Sequence, residues 1–182
     1  MPSVTSESLE AGLEHVRAAP RDEGVVRLIV RRPGVDRREV VDEAELDVDL
    51  GLVGDDWVNR GSRATPDGSP VRYAQVTLMN ARYAALIAGP PSEWGLAGDQ
   101  LYVDLDLSID HLPAGAELSV GSAVVRISEE PHTGCAKFSA RFGSDALRLA
   151  NSPEGRALRL RGVNAMVVSP GTVRIGDPIA KA

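Results

Sequence analysis

The chain has 182 residues, of which 43% are hydrophobic, 25% charged and 4% aromatic, and its formal net charge is -6. That length suits one domain, with a core that must rest on Val, Leu, Ile and Ala rather than on rings. The acidic balance, with no basic run longer than Arg31-Arg32 or Arg37-Arg38, argues against nucleic acid as a partner but leaves room for a local cationic pocket for a small anion.

Leu9, Leu13 and Val16 recur at helical spacing behind a Ser/Thr cap and early glutamates, so residues 5–18 predict a short amphipathic helix. It reads as a mobile appendage over 1–22, ahead of a single domain over 23–182. The N-terminus has neither the basic nor the apolar stretch of a secretory signal, and no apolar run approaches the roughly 20 residues of a membrane helix. A lone cysteine makes no internal disulfide, and the expected compartment is the cytoplasm, away from any membrane.

Val25 to Val30 predicts a first strand, closed by a Pro33-Gly34 turn. Residues 39–50 predict a second extended region, in part alternating. Residues 59–70 are polar and rich in Gly and Pro and predict a long surface loop. Tyr73 to Leu78 reads as a strand, and Asn80 as the cap of a helix running to Ala88. Over 100–107 the apolar positions Leu101, Val103, Leu105 and Leu107 alternate with Tyr102, Asp104 and Asp106, which predicts a strand. Glu117 to Gly121 and Ala123 to Ser128 follow as strands. Helical segments come next, around Ser144 to Ala150 and from Ser152-Pro153 onward. Val163 to Val168 and Thr172 to Ile175 read as a closing hairpin about Pro170-Gly171. Short strands at intervals of about ten residues with Gly turns predict a mainly β barrel or sandwich with a few helices.

The stretch with the most chemistry is Glu130-Pro131-His132-Thr133-Gly134-Cys135-Ala136-Lys137, together with Arg141. It holds the chain's one cysteine and one of its two lysines, among eighteen arginines. A thiol reacts as thiolate, and neighbouring cations lower its pKa, so His132, Lys137 and Arg141 are the expected source of that field. A free cysteine is also a common small buried hydrophobe, and that alternative stands beside the reactive one. His132-x-x-Cys135 offers two ligands where a structural zinc site needs four, so zinc is not expected. Asp55 and Asp56 at a Gly-rich bend read as turn-stabilising residues rather than a cation site.

Several motifs, in order, resemble the MOSC domain, named for the C-terminal domain of molybdenum-cofactor sulfurase. Gly51-Leu52-Val53-Gly54-Asp55 is similar to its early glycine-aspartate loop, and Gln75-Val76-Thr77-Leu78 to its central strand. Gly98-Asp99-Gln100-Leu101 stands where the family usually reads Gly-Glu-Asn-Leu. Leu112-Pro113-Ala114-Gly115 through Ala123, Cys135-Ala136-Lys137, and Arg161-Gly162-Val163-Asn164 through Asp177 complete the set, which covers residues 25 to 180. The resemblance implies a β-barrel of the pyruvate-kinase-barrel type with a cysteine facing a cavity. It implies an enzyme of sulfurtransferase or molybdenum-dependent oxidoreductase type, in which Cys135 carries sulfane sulfur as a persulfide or coordinates molybdenum in a molybdopterin-type cofactor. Lys137 and His132 would assist Cys135, and Arg141, Arg161 and Asn164 would hold the cofactor's phosphate from the same pocket. A sulfur-donor or redox partner protein is expected beside the small-molecule or cofactor ligand. The pyridoxal phosphate of the full sulfurase belongs to a separate domain and is not expected in this chain. A different class of function is a non-catalytic barrel that binds a small anion, with Cys135 structural.

Overall fold

The computed structural model of the chain describes residues 4–62 and 65–182. Residues 1–3 of the N-terminal segment, and residues 63 and 64 of the polar loop expected at 59–70, lie outside the described residues. In chain order the elements are α1 (Ser6–Arg17), β1 (Glu23–Arg31), β2 (Glu39–Val41), β3 (Glu43–Asp47), β4 (Gly51–Leu52), β5 (Val76–Asn80), α2 (Ala81–Ala88), α3 (Pro91–Trp94), β6 (Leu101–Asp104), β7 (Glu117–Val120), β8 (Ala123–Ile127), α4 (Ala136–Phe142), α5 (Ser144–Asn151), α6 (Pro153–Ala157), β9 (Val163–Ser169), β10 (Gly171–Arg174) and β11 (Pro178–Lys181).

Seven strands close a mixed barrel in the order β1-β6-β5-β9-β8-β7-β11 and back to β1. The β5–β6 pair is parallel and the other six are antiparallel. Closure matters because it leaves the ring no unpaired edge. The barrel interior is aliphatic, with Val26, Ile29, Leu78, Leu101, Val125 and Ile179 among its buried residues. β3, β4 and β10 form a separate small sheet.

A second apolar cluster fills the space between the barrel's outer wall and the helices. All five residues of β5 are buried, because the interior takes Val76 and Leu78 while the helices cover Met79. A strand covered on both faces loses the polar alternation of a half-exposed one. Asn80 caps α2 as expected, accepting from the N–H groups of Arg82 and Tyr83.

Four expectations are corrected. The N-terminal helix is no loose appendage: Leu9, Leu13 and Val16 are buried against the other helices. Tyr102, on the barrel's outer face, is fully buried beneath the helices, its hydroxyl donating to Trp94 O at 2.7 Å. The strand there ends at Asp104, although Leu105 and Leu107 stay in the core, and Tyr73–Ala74 lie in a 3₁₀ turn rather than in β5. The chain does not end in a hairpin either. β9 pairs with β5 and β8, while β10 crosses to β3, and the further strand β11 closes the barrel. No helix among the described residues is long and apolar enough to cross a membrane.

Candidate functional site

Cys135 is exposed at the N-cap of α4. Its approach is clamped by Asn151, whose Oδ1 accepts from the Gly134 N–H at 3.0 Å and whose Nδ2 donates to Gly134 O at 3.2 Å. A Cβ at Gly134 would come within 2.6 Å of Leu147 Cδ1, so a larger residue there would displace the end of that side chain. The thiol's pKa is lowered, first by the backbone N–H of Phe138, then by that of Lys137 and by the guanidiniums of Arg161 and Arg141, while partial burial opposes them. This is the physical signature of a thiol biased toward thiolate.

Cys135 opens into a cleft of about 270 Å³, which it shares with six cations: Arg32, Arg38, Arg60, Lys137, Arg141 and Arg161. Asp36 and Asp56 are the acids on its wall. Two more carboxylates sit behind two of the guanidiniums. Asp55 pairs with Arg32, with contacts of 2.8 and 3.0 Å, and Asp99 with Arg161 at 2.5 Å. Positive charge therefore exceeds negative at the thiol. Arg161 is nearly buried, with its guanidinium 5.2 Å from the centre of the Phe138 ring. That contact stacks the shared cation on the helix that carries the thiol.

The expected site residues divide. Lys137, Arg141 and Arg161 share the Cys135 cleft. His132 and Asn164 line a second cavity of about 300 Å³ on the other side of Arg161, which reaches both. Asn164 is turned toward the loop before Cys135, donating to Glu130 O at 3.2 Å. His132 does not supply the positive charge expected of it. Its Nδ1 lies 3.4 Å from Asp99 Oδ1, and its pKa is pushed down to about 4. Burial is the main cause, and Arg161 and Arg32 add to it while Asp99 opposes. Near neutral pH this imidazole is uncharged. Asp99 Oδ1, His132 Nδ1 and Arg161 Nε are buried side-chain atoms without hydrogen-bond partners, all in this one wall.

Sequence reasoning missed Arg32, Arg38 and Arg60 as site residues, and read Asp99 only as a motif position. The one local signal was the doublets Arg31-Arg32 and Arg37-Arg38. Asp55 behaves as expected for a turn residue, its Oδ1 accepting from the Trp57 N–H. Among the described residues no three His, Cys, Asp or Glu side chains converge in a way that would hold a metal ion.

Gly162 places the shared guanidinium. It has φ 101°, in the left-handed region that favours glycine, and a Cβ there would meet Leu78 O at 2.3 Å. The chain can therefore pass close over β5 and deliver Arg161 to the junction of the two cavities.

The family model for the MOSC domain matches residues 71–180 of the chain. No curated protein matches it. Among solved structures, the YuaD protein of Bacillus subtilis superposes with a TM-score of 0.64 at 17% identity, covering 86% of this chain and 94% of that one. YiiM of Escherichia coli gives 0.54 at 20% identity, with 87% and 69% covered. YiiM of Geobacillus stearothermophilus gives 0.52 at 16%, with 87% and 73% covered. At these identities the three share the fold.

Proposed function

This chain belongs to the MOSC domain family, and on that premise we propose that it works in molybdenum-cofactor-linked chemistry through Cys135, as a carrier of sulfane sulfur or as a thiolate ligand. The observation that carries the reading is the pairing of an exposed, pKa-lowered thiol with a cleft of six cations.

The donor set fits the cofactor. A soft thiolate suits molybdenum, and guanidiniums suit a phosphate. Cys135 would meet the metal, and Arg38, Arg141 and Arg161 would take the phosphate. Bound there, the cofactor would supply the metal's redox chemistry. The protein's own part is to keep the sulfur ionised, to balance anionic charge and to hold the guanidiniums in place.

As a carrier, the Cys135 thiolate attacks the outer sulfur of a donor protein's persulfide. The new S–S bond forms as the old one breaks, the donor leaves as thiolate, and no outside oxidant or reductant is needed. Lys137, exposed in the first turn of α4, balances the charge that accumulates at the sulfur.

The test is to purify the protein from molybdenum-replete cells and measure bound metal and the mass of the intact chain. Stoichiometric molybdenum that disappears in Cys135→Ser supports the ligand role. A sulfur adduct on Cys135 without metal supports the carrier role. Neither adduct nor metal, with a thiol that resists alkylation, contradicts both and favours the non-catalytic anion-binding barrel.

A further inference from the structure

Four of the six cleft cations come from distant places in the chain yet are held by one short segment. Arg38 Nε donates to Gly95 O at 3.2 Å, Arg141 Nη1 to Leu96 O at 2.6 Å, Arg161 Nη2 to Ala97 O at 2.9 Å, and Arg32 Nη1 to Gly98 O at 2.8 Å. Successive carbonyls thus each take a guanidinium. The next residue, Asp99, is fully buried and takes Arg161 a second time, through Nη1. The segment is a 3₁₀ turn, Gly95–Ala97, stopped by Gly98 with φ 93°. Gly95 O also closes the turn by accepting the Gly98 N–H, and carbonyls at the end of a helical turn carry partial negative charge, which favours cations. Arg60 and Lys137 line the same cleft, Arg60 pairing with Asp55 and Asp56 instead.

We propose that residues 95–99 are a positioning ledge that makes the Cys135 cleft selective for a multiply charged tetrahedral oxyanion, with Asp99 the residue that fixes Arg161 in it. The inference rests on the reading of this cleft as an anion site and adds how the selectivity is built. Guanidiniums held at set positions present N–H donors that an oxyanion accepts together, and their order is established before the anion arrives. A spherical monoanion gains only from charge. The ledge therefore separates geometry from charge: Asp99 is negative, so on charge alone its removal should tighten anion binding.

The intact protein is alkylated with iodoacetamide at fixed pH, and protection of Cys135 by inorganic phosphate is compared with protection by chloride at matched ionic strength. The parent protein is expected to be protected by phosphate and not by chloride. Asp99→Asn should raise the half-protecting phosphate concentration about tenfold, the loss of one charge-assisted hydrogen bond, although the cleft becomes more positive. Asp99→Glu, which keeps the charge, should restore part of the protection. If Asp99→Asn does not fold, Arg161→Lys tests the same point and should show the same loss, since lysine keeps the charge but cannot span both acceptors. Unchanged or tighter phosphate protection in the folded variant overturns the ledge and leaves the anion site standing. A parent protein that phosphate does not protect overturns the anion site itself, and the ledge with it.

Discussion

Two cavities meet at Arg161 and offer a visitor different things. On one side six cations surround an exposed thiol. On the other lie His132, held neutral by burial, and Asn164, bonded to the Glu130 carbonyl. The contrast shows that closeness along the chain is a poor guide to shared chemistry. His132 and Cys135 are three residues apart and line different spaces, while Arg32, Arg38 and Arg60 arrive from much earlier in the chain to surround the sulfur. Asp99 and Arg161 are the boundary: the guanidinium of one buried ion pair lines both cavities, the mainly cationic one at the thiol and a mixed one that also holds Glu129, Glu130, Arg156 and Arg159.

The greatest loss is expected from severing that boundary. Arg161→Ala leaves Asp99 buried without its guanidinium and should cost about 3–5 kcal/mol in denaturant unfolding. A cost under about 1 kcal/mol would mean that the pair does not hold the wall together. Gly162→Ala comes next, at roughly 2–4 kcal/mol, because it meets both a disfavoured φ and the Leu78 carbonyl. It should also weaken phosphate protection of Cys135, by moving Arg161. Protection equal to the parent's would separate the backbone at 162 from the cleft.

His132 probes the second cavity through pH. Its pKa falls from about 6.5 unfolded to about 4 folded, so between these values the unfolded chain binds more protons. The contribution is fully present above pH 6.5 and is lost as pH falls toward 4, by on the order of 3 kcal/mol. His132→Gln should flatten the stability–pH curve in that window relative to the parent, and an identical curve would place the imidazole in water. The smallest effect is at Arg60, half-exposed and away from the ledge. Arg60→Ala should change stability by less than about 1 kcal/mol and weaken phosphate protection only modestly. A loss as large as that from Asp99→Asn would show that Arg60 holds the anion as much as the cations on the ledge do.

The barrel was largely legible in the chain. β8 alternates as a half-buried strand does, and the α2 cap is written in Asn80. The errors share a cause, which is contact at long range. Pro170-Gly171 signals a bend but does not say that the strand beyond it leaves for β3. Tyr102 alternates with the polar positions of β6, yet a helical layer, invisible in local periodicity, covers that side of the strand. β11 is four residues long with a leading proline, too short to read, yet it closes the ring. Of the site, Cys135, Lys137, Arg141 and Arg161 were legible as a group, since three lie within one turn or two of each other and the fourth in a recognisable motif. The ledge was not, because its acceptors are backbone carbonyls, which carry no side-chain signature.

What the site needs above all is that Cys135 be a thiolate-biased sulfur in an anion-holding cleft. The rate of Cys135 alkylation by iodoacetamide across pH, with and without inorganic phosphate, reads both properties at once. The expected midpoint lies below the value of about 8.5 for an ordinary cysteine, with a slower reaction when phosphate is present. A midpoint at or above that value, with a rate indifferent to phosphate, would refute it.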